Sequence, residues 1–136
     1  MSRSLFLAIT SLTCIAAFSS IGCDGARTSG PSVNPQKDAL VDLGQMLKQL
    51  ADEKKKPPAR LAELEPVEPM IPNAGAAIRT GSIVYLWGAS YISGGTKIVA
   101  YEKKAPESGG MVLLEDASVK EMTADAFKSA PKAGKS

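Results

Sequence analysis

Few side chains in this sequence have types and spacings that could do chemistry. There is no histidine and there are only two cysteines, Cys14 and Cys23, so neither a Ser-His-Asp nor a Cys-His nucleophilic site can be assembled. Ser129-Ala130-Pro131-Lys132 has the Ser-x-x-Lys spelling of some acyl-enzymes. It lies in a proline-interrupted tail, however, and lacks its partner motifs. Gly94-Gly95-Thr96-Lys97 has the flavour of a phosphate-cradling loop, but the full glycine and lysine spacing is missing and a hairpin turn explains it. Glu63, Glu65 and Glu68 with Asp116 are carboxylates that could be gathered around calcium. Their spacing lacks the alternation that calcium loops use. No catalytic, cofactor-binding or metal-ligating set is therefore assigned, and no cofactor is expected.

The aromatic residues leave one further candidate. With one tryptophan, three tyrosines and three phenylalanines in the chain, the group Tyr85, Trp87, Tyr91 and Tyr101 is either a core beneath a helix or a face that binds a partner. Aromatic side chains supply large contact areas in both settings. Tyr85 and Trp87 share a face by strand alternation.

Cys23 is the most informative reactive residue because of where it stands. Arg3 gives a positive start, Leu5 to Phe18 form an apolar stretch, and Ser20-Ile21-Gly22 leads into Cys23 and a polar run. This arrangement resembles a bacterial lipoprotein signal, which implies cleavage before Cys23 and a lipid on its sulfur. Residues 1–22 are then the signal peptide. A membrane span needs roughly 20 predominantly apolar residues, and Thr10, Ser11, Thr13, Ser19 and Ser20 dilute this shorter segment. A pilin-type leader is cut before its apolar helix, whereas here the polar Asp24-Gly25-Ala26-Arg27 follows the site. An ordinary secretory cut elsewhere stays open, since the lipoprotein pattern prefers Leu three residues before the cysteine and Ser20 stands there. The implied location is the cell envelope, on the extracytoplasmic side of a membrane.

Cleavage would remove Cys14 and commit Cys23 to lipid, so no disulfide is expected despite that setting. The 16 basic and 14 acidic residues nearly cancel, which disfavours nucleic acid as a partner. The expected partners are the membrane, through the anchor, and envelope or secretion proteins. Residues 23–36 are rich in Gly, Ser, Thr, Asn and Pro and read as a flexible tether, for which a chain of about 13 residues spans roughly 20 Å.

The elements that must carry any surface are legible in outline. Asn34 suits a helix N-cap, Pro35 the first helical position, and Asp38 the positive end. Leu40, Leu43, Leu47 and Leu50 recur at three- and four-residue spacing with Met46 beside them, which predicts one buried stripe. Lys54-Lys55-Lys56 places positive charge at the negative end of this helix, and Pro57-Pro58 stops it. A solvated cap explains the lysines, with attraction to anionic lipid as the alternative. One short helical turn is predicted at Arg60–Leu64, and Pro66, Pro69 and Pro72 predict an extended connector packed along the domain.

Strand-like runs follow at Ser82–Trp87, Thr96–Glu102 and Gly110–Glu115. The first is apolar on both faces, as a central strand or one covered by the helix would be. A Gly94-Gly95 hairpin turn is predicted with Gly88 as a bulge, and a loop at Pro106–Gly109. A turn at Asp116-Ala117 should lead into a fourth strand at Ser118–Met122. Thr123 should cap a last helical turn through Phe127, and the chain from Pro131 should fray. The expectation is one α+β domain over residues 37–129, an N-terminal amphipathic helix on a three- to four-stranded antiparallel meander, with residues 130–136 as a disordered tail.

Val99-Ala100-Tyr101-Glu102, Gly109-Gly110-Met111-Val112-Leu113-Leu114 and Asp116-Ala117-Ser118-Val119-Lys120 to Phe127 resemble short pseudopilin-like proteins of planctomycete-type bacteria. Pro58-Ala59-Arg60-Leu61 and Leu64 match the P-x-x-L-x-x-L step of that family, and the resemblance covers residues 39 to 128. It implies a pilin-like α+β head without known catalytic residues, here on a lipid anchor. The family's strand motif often ends in Asp-Gly-Ser, and Ala117 stands in the glycine place, removing the residue that best tolerates a left-handed turn. The expected role is therefore non-enzymatic, structural or protein-binding. The alternatives are an accessory component of a secretion apparatus and, more distantly, an unrecognised hydrolase.

Overall fold

The computed structural model describes residues 34–134; Cys23, the signal segment and almost all of the tether lie outside the described residues. The first helix, α1 (Pro35–Asp52), is set by its cap: Asn34 Oδ1 accepts from the N–H groups of Gln36 and Lys37 at 3.2 Å each. The helix thus starts two residues before residue 37, within the stretch read as tether. Ala39, Leu40, Leu43, Met46 and Leu47 are buried along one stripe. Each leucine there contributes about 2 kcal/mol of burial.

The end of α1 differs from expectation. No basic residue lies in its last turn, and Lys54 instead adopts a left-handed conformation at φ 56°. The N–H of Lys54 reaches Ala51 O at 3.0 Å and that of Lys55 reaches Leu50 O at 2.8 Å. This is the Schellman closure, which ordinarily uses glycine.

The proline-rich stretch is helical rather than extended. A 3-10 turn at Leu61–Glu63 falls within the short helical turn that the sequence implied, but a second 3-10 segment at Glu65–Met70 and the helix α2 (Pro72–Arg79) replace the extended connector. Pro66 and Pro72 sit where a missing N–H costs nothing, at the start of a helical turn. Ile71 and Ala74 enter the core, and the Arg79 guanidinium clasps the Glu68 carboxylate through two hydrogen bonds, of 3.0 and 2.5 Å.

The four strands β1 (Ile83–Tyr85), β2 (Ile98–Glu102), β3 (Gly110–Leu114) and β4 (Val119–Met122) form one antiparallel sheet in chain order. The fold is α+β, with α1 on an antiparallel meander. β1 is an edge strand, and α2 packs against it. Gly94-Gly95 does not make a tight hairpin. Tyr85 pairs with Ala100, so the chain from Leu86 to Lys97 is a long loop, in which Gly95 N–H closes on Ile92 O at 2.9 Å. Gly88 is a turn residue of that loop, its N–H on Pro58 O, and the irregularity in the ladder lies between Ile98 and Ala100 of β2. The expected loop after Lys104 holds a helical turn, α3 (Ala105–Ser108).

Asp116-Ala117 turns the chain left-handed even without glycine, Ala117 having φ 64°. Asp116 Oδ1 accepts from the N–H and hydroxyl of Ser118 at 2.9 and 2.5 Å, and these bonds hold its carboxyl below the usual range. Thr123 Oγ1 caps α4 (Ala124–Ser129) through Ala126 N–H at 3.2 Å. The expected frayed tail pairs instead: Lys132 forms a parallel bridge with Ile98, and Ala133 is buried.

Two apolar clusters lie on opposite sides of the sheet, since neighbouring residues of one strand divide between them. Leu113, Ala100, Ile83 and Tyr85 join α1 and α2, while Ile98, Val112 and Leu114 join Phe127 of α4. Replacing Lys54 by Gly removes a left-handed lysine without losing a buried contact. It should raise unfolding stability by about 1 kcal/mol, read as a shift of the urea midpoint at constant slope.

Candidate functional site

The sheet end at which α1 begins carries two surface hollows. An open groove of about 560 Å³ is lined by Asn34, Gln36, Ser82, Glu102, Lys103 and Lys104. A second, of about 540 Å³, shares Asn34, Glu102 and Lys104 and runs over Gly110, Glu121 and Thr123. Glu102 is common to both and is only 4% exposed.

The geometry explains why a carboxylate is buried there. Glu102 ends β2 opposite the start of β3, and its Oε2 accepts the Met111 N–H at 2.9 Å with the Lys104 ammonium 3.5 Å away. Its side chain crosses directly over Gly110, where a Cβ would overlap Oε2. The opposite end of the same strand pair repeats the device. Glu115, 6% exposed, directly follows β3 and accepts the Lys97 N–H at 3.4 Å, and a Cβ on Gly95 would stand 2.5 Å from its Cβ. Each buried glutamate thus covers a glycine and satisfies a backbone donor at a place where the ladder ends. Buried polar groups require such partners, and among the described residues no buried side-chain nitrogen or oxygen lacks one.

No family description, curated protein or solved structure matches this chain. The arrangement of its own residues is therefore what any functional reading has to rest on.

The residues singled out from the sequence are not brought into one site. Tyr85 is buried, its hydroxyl donates to Ala89 O at 2.7 Å, and its ring meets Trp87 edge-on at 5.1 Å between centroids. Trp87 and Tyr91 are half-buried against the same cluster. Tyr101 lies on the other face, edge-on to Phe127 at 4.7 Å. The aromatic set is thus divided, and Tyr85 in particular is core. Ile92, in the loop that carries Trp87 and Tyr91, is 49% exposed. Cys23 lies outside the described residues.

The motif candidates are likewise occupied otherwise. Lys132 Nζ donates to Phe127 O at 3.0 Å and Ala130 O at 3.2 Å, and lies 4.6 Å from the Phe127 ring centroid, which is a helix-end and cation–π role. Glu63 pairs with Arg60 and the Ala59 N–H, Glu65 and Glu68 face Arg79, and Asp116 holds Ser118. These carboxylates serve separate turns. Among the described residues no three metal-binding side chains converge, and no helix is long and apolar enough to cross a membrane.

Sequence reasoning missed Glu102 and Glu115. The signal was present: each closes an apolar strand run, Glu102 facing Gly110 at the start of β3 and Glu115 facing Gly95 in the loop before β2.

Two measurements follow from this geometry. Glu102→Ala leaves the Met111 N–H without its partner and should cost about 1–3 kcal/mol, and Gly110→Ala should also destabilise. In the double variant the new methyl fills the space that the carboxylate vacated, so the combined loss should be smaller than the sum of the single losses; additive losses in a urea-denaturation cycle would contradict the clasp. Burial also pushes the Tyr85 phenol well above its ordinary range. The unfolded chain releases this proton near pH 10 while the folded chain retains it. The associated stability is thus complete below that pH and declines as the pH rises beyond it. Tyr85→Phe should flatten that alkaline decline in denaturation curves taken from pH 9 upward.

Proposed function

We propose that this chain is a lipid-anchored extracytoplasmic protein whose α+β head makes protein or envelope contacts and carries out no chemistry of its own. The observation that carries the reading is the placement of Cys23, after Ser20-Ile21-Gly22 and before a polar spacer that leads to the Asn34 cap. The thiol there takes a diacylglyceryl group through a thioether, and the two acyl chains of that group hold a protein stably at a membrane. What supports a non-catalytic head is the use made of its two buried carboxylates, which are committed to backbone donors and glycines. The loop with half-buried Trp87 and Tyr91 and exposed Ile92 offers amphipathic contact area at the sheet end away from Asn34.

The order of α1 followed by an antiparallel meander favours a second reading, an accessory, pseudopilin-like component of a secretion apparatus. That reading predicts co-purification with pilin-like proteins from solubilised membranes. A scaffold would remain in the envelope without them.

The deciding experiment is intact-protein mass spectrometry of membrane fractions from cells expressing the wild type and Cys23→Ser. The expected product begins at Cys23 with an added diacylglycerol, and the variant lacks this species. An unlipidated wild-type product cut at another site would overturn the anchor and leave a secreted domain.

A further inference from the structure

We propose that the part of β2 beside Ile98 is a strand-acceptor slot, and that the C-terminal segment of a second copy of this chain can occupy it in place of the chain's own Pro131–Ala133. The inference stands apart from the lipid anchor and needs only the described domain.

The slot exists because β1 is too short. It pairs with β2 only from Ala100 to Glu102, and beyond Tyr85 its chain keeps a single bond, from Leu86 N–H to Val99 O at 2.9 Å. Ile98 is thereby left with its N–H and C=O unpaired on that side, and an unpaired strand edge is a template for another segment. The chain's own C-terminus fills it in parallel orientation. Ile98 N–H donates to Pro131 O at 2.9 Å, and Ala133 N–H donates to Ile98 O at 2.7 Å.

Side-chain chemistry gives the slot selectivity. Ala133 places its methyl in the main core. The next residue back turns the other way, as extended chain requires, so Lys132 sets its ammonium on the carbonyls of Phe127 and Ala130 and over the Phe127 ring. The ammonium serves the negative end of α4 and the ring at once. An extended segment of the form Pro-Lys-Ala therefore fits, and a second copy carries this segment by definition.

The resident segment is lightly held. It has two backbone bonds, one buried methyl and the Lys132 ammonium contacts at the surface, and Pro131 has no N–H to add. Segments with so few buried contacts open locally without global unfolding. Its advantage is tethering, which gives an effective concentration in the millimolar range, so a competitor gains the slot when the resident segment is expelled.

The test uses the full chain carrying Ala133→Asp, which puts a carboxylate where the methyl is buried, and the free peptide of residues 129–136. Saturable amide-shift changes at Ile98 and Phe127 are expected in this variant. Binding should be at least about tenfold weaker in the wild type, whose tethered segment competes, and weaker again for a peptide with Lys132→Ala. Equal binding by wild type and variant, or none by a folded variant, overturns the proposal. If Ala133→Asp does not fold, hydrogen exchange of the wild type decides. Ile98 and Ala133 amides exchanging together and faster than the β3 ladder support an open slot; exchange only with global unfolding overturns it.

Discussion

The central strand pair has no wet face, and the rest of the molecule is arranged around that constraint. Ile98, Val99 and Ala100 of β2 and Val112, Leu113 and Leu114 of β3 are all buried. Residues on both sides of both strands must therefore be covered, as is usual for layered α/β packing and unusual for a four-stranded meander. On one side α1 and α2 supply the cover. Gly44 lets α1 come close, since a Cβ there would stand 2.9 Å from Leu113 Cδ1 and 3.3 Å from the Ala117 Cβ. On the other side a single large residue, Phe127, does most of the covering, with Tyr101 edge-on to it and Lys132 above.

That constraint also accounts for what could and could not be read from the sequence. The stripe of Leu40, Leu43 and Leu47, the Asn34 and Thr123 caps and the four strand runs all follow from local periodicity and capping chemistry, and they are where expected. The second layer depends on residues whose local signals point elsewhere. Pro66, Pro69 and Pro72 suggest extended chain, yet proline has the backbone angle of a helical turn, and burial of Ile71 and Ala74 decides the outcome. Pro131 to Ala133 resembles a frayed end, and only the shortness of β1 gives it a partner. Tyr85, Trp87, Tyr91 and Tyr101 look like one surface in sequence, but Tyr85 pairs with Ala100, so alternation sends Tyr101 to the far side.

Among the described residues, the two buried glutamates and the two left-handed non-glycine residues show how the chain ends its elements. Glu102 and Glu115 finish opposite ends of the β2–β3 ladder by reaching back over a glycine, and each buried carboxyl group is tolerated because a backbone donor meets it. Lys54 and Ala117 adopt conformations that ordinarily favour glycine. At each, surrounding bonds over-determine the turn: the Schellman pair after α1, and the Asp116–Ser118 bonds with the Leu114 N–H on Ser118 O before β4. Strain of this kind persists only where neighbours hold it.

The strand order β1-β2-β3-β4 has a kinetic consequence. Every strand pairs with its neighbour in the chain, so the sheet closes only modest loops, and topologies of this kind fold faster than those needing distant pairings. The helix α1 is the exception. It is made first, but Leu113 and Ala117, which it must meet across Gly44, come some seventy residues later. During synthesis its apolar stripe therefore has only α2 and the turns before it to pack against until β3 has emerged, and in that interval the nascent chain is most exposed to aggregation.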